Sequence, residues 1–171
     1  MNPIAVYVHI PFCTVKCGYC DFNAYAGLDA LKPEYRDALV AELAGWAPSL
    51  AGRVVTSIAF GGGTPGEVPA DDIAAIVAAI RQAAHVAVDA EIGLEANPGT
   101  ADGSHFEALR AAGVTRLSLG AQSFDAGELR FLDRIHSPEA INGAFRAARD
   151  ACFASVSLDL IYGLPGQSLA A

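Results

Sequence analysis

Five short stretches rich in β-branched and apolar residues alternate along this chain with longer stretches of helix-forming composition, and no other property narrows the possible folds as much. The β-rich stretches are residues 5–10, 54–60, 91–95, 116–119 and 155–161. The helix-forming ones are 33–46, 69–84, 104–112 and 137–151, with Pro or Ser at or near three of the starts and Gly113 just past the third. Alternation of this kind predicts an α/β fold, a parallel sheet or barrel whose strands are joined by helical crossovers. Right-handed crossovers bring the C-terminal ends of all strands to one side, where open α/β sheets and barrels hold their ligands.

Within the strands, polarity alternates with a period of two. Val6, Val8 and Ile10 share one face, Tyr7 and His9 the other. Ile92 and Leu94 oppose Glu91, Gly93 and Glu95. Leu117 and Leu119 oppose Ser118 and Gly120, and Leu158 and Leu160 oppose Ser157 and Asp159. An antiparallel sheet with one wet face gives the same pattern, but the intervening helices favour a parallel one. The apolar face then meets the helices and the polar face lines a lumen. There Glu95 and Asp159, expected to be buried, need hydrogen-bonding partners that a polar ligand would supply.

At 171 residues and 53% hydrophobic, the chain has material for one sizeable core, and residues 1–171 read as a single domain without repeat, linker or low-complexity segment. The longest apolar run, 73–80, is closed by Asp72 and Arg81, far short of the ~20 residues of a membrane span. The first residues lack the basic region and cleavage site of a secretory signal, so a cytoplasmic location is expected. Eleven basic against nineteen acidic residues give a net charge of −8, which argues against nucleic acid as a partner.

Three of the four cysteines fall within eight residues, Cys13-Thr14-Val15-Lys16-Cys17-Gly18-Tyr19-Cys20, directly after the first strand. Three thiolates can each hold one iron of a [4Fe–4S] cube and leave the fourth iron open to a substrate. Structural zinc wants four tetrahedral ligands, usually as two pairs, and no second pair is present. His9 is the one nearby candidate to complete such a site, and its place beside Tyr7 suits a lumen-lining or hydrogen-bonded role equally well. Cys152, in a helical pattern far from the other three, reads as a small buried hydrophobe.

Phe60-Gly61-Gly62-Gly63-Thr64-Pro65 ends the second strand, and its glycines let backbone groups approach a ligand that a Cβ would obstruct. Gly61, Gly63 and Gly66 also match G-x-G-x-x-G, but Pro65, Gly66 and Pro69 delay the helix that a dinucleotide fingerprint needs at once. Glu95, Gln122 and Asp159 stand at or near strand C-termini, with types that suit ribose hydroxyls and an amino-acid moiety, and Arg134 suits a carboxylate. Asp71, Asp72 and Asp102 read as helix-start residues. His85 and His105 read as exposed or capping residues, and His136 is left open.

Together, Tyr7-Val8-His9-Ile10-Pro11-Phe12-Cys13, Cys17-Gly18-Tyr19-Cys20-Asp21-Phe22, Gly61-Gly62-Gly63-Thr64-Pro65, Glu95-Ala96-Asn97-Pro98-Gly99, Gly120-Ala121-Gln122-Ser123-Phe124 and the run from Asp159 to Gln167 resemble the oxygen-independent coproporphyrinogen-III oxidase family of radical S-adenosylmethionine (SAM) proteins. The resemblance implies a partial (β/α)6 TIM-like barrel with about five of its six strands present here. Its relatives are about twice as long, with a sixth strand and a C-terminal domain lacking here. It implies a [4Fe–4S] cluster on Cys13, Cys17 and Cys20, whose open iron chelates SAM, and reductive cleavage of SAM to a 5′-deoxyadenosyl radical. Tyr7, Gly62, Gly63, Thr64, Glu95, Gln122, Arg134 and Asp159 match the family's cosubstrate-binding residues, and Tyr19 the aromatic beside the adenine.

Oxidases of this family carry another cysteine two residues after the last cluster ligand, where this chain has Phe22. Cys20-Asp21-Phe22 instead resembles the heme-chaperone, HemW-type branch. That branch implies heme as cargo for respiratory proteins and a reductant such as flavodoxin or ferredoxin. Gly66-Glu67-Val68 departs from the Ser-Leu-Leu usual in the family.

Overall fold

The computed structural model describes residues 2–100 and 103–168. In chain order its elements are β1 (Asn2–Ile10), β2 (Phe12–Cys13), β3 (Tyr25–Ala26), α1 (Lys32–Leu50), β4 (Arg53–Gly62), α2 (Ala70–Ala83), β5 (His85–Ala96), α3 (Gly103–Ala111), β6 (Arg116–Gln122), α4 (Ala126–Phe131), α5 (Pro138–Asp150) and β7 (Ser155–Leu160). Five strands form one sheet in the order β1-β4-β5-β6-β7, with every pair parallel. The expected α/β architecture is therefore present, as the parallel sheet of a partial barrel.

The helices form where local chemistry satisfies their ends. Ser137 accepts a hydrogen bond from Ala140 N–H ahead of Pro138 in α5, and Asp125 accepts from Gly127 and Glu128 N–H ahead of α4. In α2 the buried residues Ile73, Ile76, Val77 and Ile80 recur at three and four, one helix face. That stripe packs on the apolar sheet face with Val55, Ile58, Ile92, Leu94, Leu117 and Leu119 in one core. Phe106 of α3 meets Phe153 edge to face, with ring centroids 6.4 Å apart.

Differences from the sequence reading have local causes. The pair β2–β3 and the short helix α4 carried no periodic signal, being two and six residues long. Glu95 and Asp159, expected to be buried, are both solvent-exposed, because the apolar cluster lies on the opposite face and the polar face stays open. Cys152, expected to be a buried helical residue, is exposed in the turn after α5 with a left-handed φ of 62°. Asp71 and Asp72 do lie in the first turn of α2. Asp72 is also buried and pairs with Arg36 at 2.6 Å, tying α1 to α2. Asp102 lies outside the described residues.

Candidate functional site

Parallel pairing delivers the ends of β1, β4, β5, β6 and β7 to one side of the sheet, and there a cavity of about 360 Å³ opens. Cys13, Cys17 and Cys20 line it from the loop after β1, and Gly62, Gly63 and Thr64 from the end of β4. Glu95, Gln122 and Asp159 come from β5, β6 and β7, and Arg134 from the loop after α4. Tyr19 also faces the cavity and is 43% exposed, offering a ring to a ligand. Tyr7 does not line it; at 61% exposed it stands on the neighbouring lumen face, with its ring 6.2 Å from that of His9.

The glycine turn is packed too tightly for side chains. A Cβ on Gly63 would lie 2.5 Å from the Phe12 carbonyl oxygen, and one on Gly62, whose φ is 114°, would lie 2.5 Å from the His9 ring. Gly63 N–H donates to Ile10 O, and Thr64 N–H to Phe12 O, each at 2.7 Å, so the turn is stitched to the chain entering the cysteine loop. Helix α2 begins only at Ala70 after the turn Pro65–Glu67. That delay removes the helix N-terminus a dinucleotide fingerprint would need.

A hydrogen-bond chain joins two of the cysteines. Thr64 Oγ1 donates to Cys13 Sγ at 3.5 Å, and Asn97 Nδ2 donates to Thr64 Oγ1 at 3.1 Å. Arg134 Nη2 donates to Asn97 Oδ1 at 2.5 Å and to Gly120 O at 2.9 Å, while its Nη1 points at Cys17 Sγ at 3.5 Å. Asn97, the hub of this chain, was not singled out from sequence; its place two residues past Glu95 was the available signal. Ser118 Oγ, likewise unforeseen, donates to both oxygens of Asp159 at 2.8 and 3.0 Å.

Three of the four histidines serve the scaffold. His9 Nε2 lies 2.8 Å from Asn23 O. His85 is exposed at the start of β5. His105, expected to be exposed or capping, instead lies 3.0 Å from Gly66 O and so holds the glycine turn to α3. His136 is buried against Ala121 O at 3.1 Å, and burial lowers its pKa.

Although Glu95 is exposed as a residue, its carboxyl end is partly enclosed beside Gly61, and that desolvation raises its pKa above the usual value; a Gly62 N–H bond opposes the rise and Asp159 adds to it. Desolvation also raises the Tyr7 phenol, with Glu95 adding to it. The lumen thus concentrates negative charge that a cationic ligand group would relieve. A carboxyl whose pKa rises on folding binds its proton more tightly in the folded chain, so its ionisation opposes folding above its ordinary range. Glu95→Gln is therefore expected to raise the urea midpoint near pH 7, with the gain disappearing below about pH 4; paired melts at the two pH values check it.

The cysteines are free thiols around one cavity, and Arg134 and Thr64 supply donors to their sulfurs. Among the described residues no three His, Cys, Asp or Glu side chains converge as a single ion would require. A cube that takes one iron per thiolate suits sulfurs spread around a cavity, so the donor set fits such a cluster.

A parallel α/β sheet whose strand ends carry a three-cysteine loop, a stitched triple-glycine turn and facing carboxylates has the donor set that a cluster and a polar cosubstrate would need. The chain belongs to the Radical SAM superfamily, which it matches over residues 7–171. It is 43% identical over 170 residues to "Heme chaperone HemW" of Mycobacterium tuberculosis, covering 98% of this chain and 44% of that protein. It is 38% identical over 168 residues to "Oxygen-independent coproporphyrinogen III oxidase" of Salmonella typhimurium, covering 98% and 37%. The solved structure of HemN, the coproporphyrinogen III oxidase of Escherichia coli described as a radical SAM enzyme, superposes with a TM-score of 0.89 at 36% identity, over 97% of this chain and 38% of that one. The chain thus spans less than half the length of these relatives. Archaeal Elp3, at 17% identity and a TM-score of 0.61, shares the fold. No helix among the described residues is long and apolar enough to cross a membrane.

Proposed function

We infer that this chain is the radical SAM core of a heme chaperone that works in the cytoplasm and passes heme to respiratory proteins. Cys13, Cys17 and Cys20 would hold a [4Fe–4S] cluster. When bound and reduced, by a donor such as flavodoxin or ferredoxin, that group supplies the electron that breaks a carbon–sulfur bond of SAM. The chain's own residues do the rest by positioning. Arg134, braced by Asn97 and Gly120, presents a fixed guanidinium to the cosubstrate carboxylate. Glu95 offers negative charge to its ammonium, and the carbonyls of the Gly62-Gly63-Thr64 turn, whose Gly63 and Thr64 N–H groups already donate to Ile10 and Phe12, would accept from the same moiety. Asp159 and Gln122 face the ribose, Tyr19 stacks on the adenine, and Tyr7 closes the site from the adjoining face.

The observation that carries the chaperone reading is Phe22, which lines the cavity and is 66% exposed. It stands where the oxidase branch carries an additional cysteine, so this cavity lacks that thiol. The likeness to HemN favours coproporphyrinogen oxidation as the second reading. The test is anaerobic reconstitution with iron and sulfide, then EPR with and without SAM, heme titration, and a coproporphyrinogen decarboxylation assay on the full-length protein. A SAM-responsive cluster with heme binding and no decarboxylation is expected; decarboxylation would transfer the assignment to the oxidase.

A further inference from the structure

The cysteine loop is held from behind by two carboxylates that come from separate parts of the chain. Glu67 Oε2 accepts from Thr14 N–H at 2.7 Å and from the Thr14 hydroxyl at 2.9 Å. Asp133 Oδ2 accepts from Gly18 N–H at 3.1 Å. Neither carboxylate lines the large cavity; both border a small crevice that adjoins it, with Val15 and Cys17. Each contact falls on the residue that follows a cluster cysteine, Cys13 or Cys17.

Both grips are themselves fixed. The carbonyl of Glu67 accepts from Lys32 Nζ at 3.0 Å, and Lys32 pairs with Asp29 at 2.6 Å at the start of α1. Glu67 closes the turn that follows the glycine loop. The contacts Thr64 to Cys13 and Thr14 to Glu67 therefore cross-link adjacent residues of one loop to the two ends of the other. Asp133 has a left-handed φ of 53°, held by Asp133 N–H donating to Arg130 O at 3.2 Å. Asp tolerates that conformation better than most residues. Opposite it, a Cβ on Gly18 would lie 2.7 Å from Asp133 Oδ2, so a side chain there would push the carboxylate off its present contact.

We propose that Glu67 and Asp133 are positioning residues of the cysteine loop, gripping Thr14 and Gly18 so that Cys13 and Cys17 are held at a fixed spacing, and placing two negative charges behind the cluster site. The grip stands on the hydrogen bonds alone, whereas the effect on a cluster rests on the radical SAM reading of these cysteines. Carboxylate-to-N–H bonds are charge-assisted and stronger than neutral ones. Negative charge close to a cluster opposes the arrival of an electron, and net charge is one of the terms that set such potentials. The cations Lys32 and Arg134 nearby offset part of this charge without removing the hydrogen bonds.

The test has two arms. In the first, amide hydrogen exchange is followed at Thr14 and Gly18 in the cluster-free chain. Glu67→Leu is expected to speed exchange at Thr14 by about tenfold to a hundredfold and leave Gly18 alone, and Asp133→Gly to do the reverse. Should Glu67→Leu fail to fold, Glu67→Gln, which keeps an acceptor but no charge, carries this arm with a smaller acceleration. In the second arm, redox titration of the reconstituted cluster is expected to give a more positive midpoint in Glu67→Gln and in Asp133→Asn at unchanged iron content. A residue that merely stabilised the fold would not move that midpoint. Equal exchange in wild type and variants, or midpoints that stay in place, would overturn the proposal. A wild-type chain that takes up no cluster would count against the radical SAM reading instead, and the exchange arm would still decide the grip.

Discussion

Replacing Cys17 with serine is expected to give a folded chain that takes up no [4Fe–4S] cluster. On the radical SAM reading the loop supplies three thiolates for three irons, and serine at one position would leave an iron without the soft ligand it needs. Cys17 is the buried member of the three, 9% exposed, with the Arg134 guanidinium beside its sulfur. Substituting it removes the ligand best shielded from water and oxidants. Alanine at Cys13 or Cys20 is expected to act in the same direction. Cys152→Ser is the control, because that thiol is exposed in the turn after α5 and lines no part of the cavity. Iron and acid-labile sulfide per chain after anaerobic reconstitution, with circular dichroism to confirm folding, make the comparison. Full uptake by the Cys17 variant would remove the cluster from this loop.

Gly63→Ala is expected to cost about 3 kcal/mol, the upper end of the usual range for overpacking, and to abolish a SAM-dependent spectral change. The added methyl would meet backbone on every side: Phe12 O at 2.5 Å, and Ile10 O and Phe12 N at 2.9 Å. None of these is the movable end of a side chain, so relief would require pulling the glycine turn off the cysteine loop and breaking the 2.7 Å bond from Gly63 N–H to Ile10 O. Gly143 gives the contrast, since a Cβ there meets nothing within 4 Å on the exposed side of α5. Gly143→Ala is expected to stabilise by up to about 1 kcal/mol through helix propensity. Urea unfolding of the two variants beside the parent measures the difference.

Much of the frame was legible because it depends on periodic signals. The five strands of the sheet and the four long helices follow from alternating polarity and from breakers such as Gly113 and Pro69, and the observed elements differ mainly at their ends. The grouping of Cys13, Gly63, Glu95, Gln122 and Asp159 at one cavity followed from parallel topology alone, because each lies at or just past a strand's C-terminal end. What escaped was contact between residues distant in sequence. Nothing local to Asn97 indicates that it joins Thr64 to Arg134, and nothing around Glu67 indicates Thr14. Burial was misjudged where it depends on what covers a face. Glu95 and Asp159 alternate as lumen residues should, yet whether a lumen is wet depends on the layer across from it, which strand periodicity does not encode. Cys152 was misplaced because a helical composition continues past Asp150 while the backbone already turns.

The cavity draws on residues from Cys13 to Asp159, and every strand of the large sheet except β1 contributes a lining residue from its own length, β4 only the backbone of Gly62. Apart from the eight-residue cysteine loop, the pocket is assembled only by folding, so a cosubstrate that contacts the strand ends has almost nothing to bind in the unfolded state. By mass action, a ligand that recognises only the assembled sheet adds its binding free energy to the folding equilibrium. Occupancy and folding thereby become one thermodynamic quantity. The abundance of intact molecules in a cell would then follow the supply of whatever fills the pocket, and starvation for that ligand would be felt first as turnover of the polypeptide.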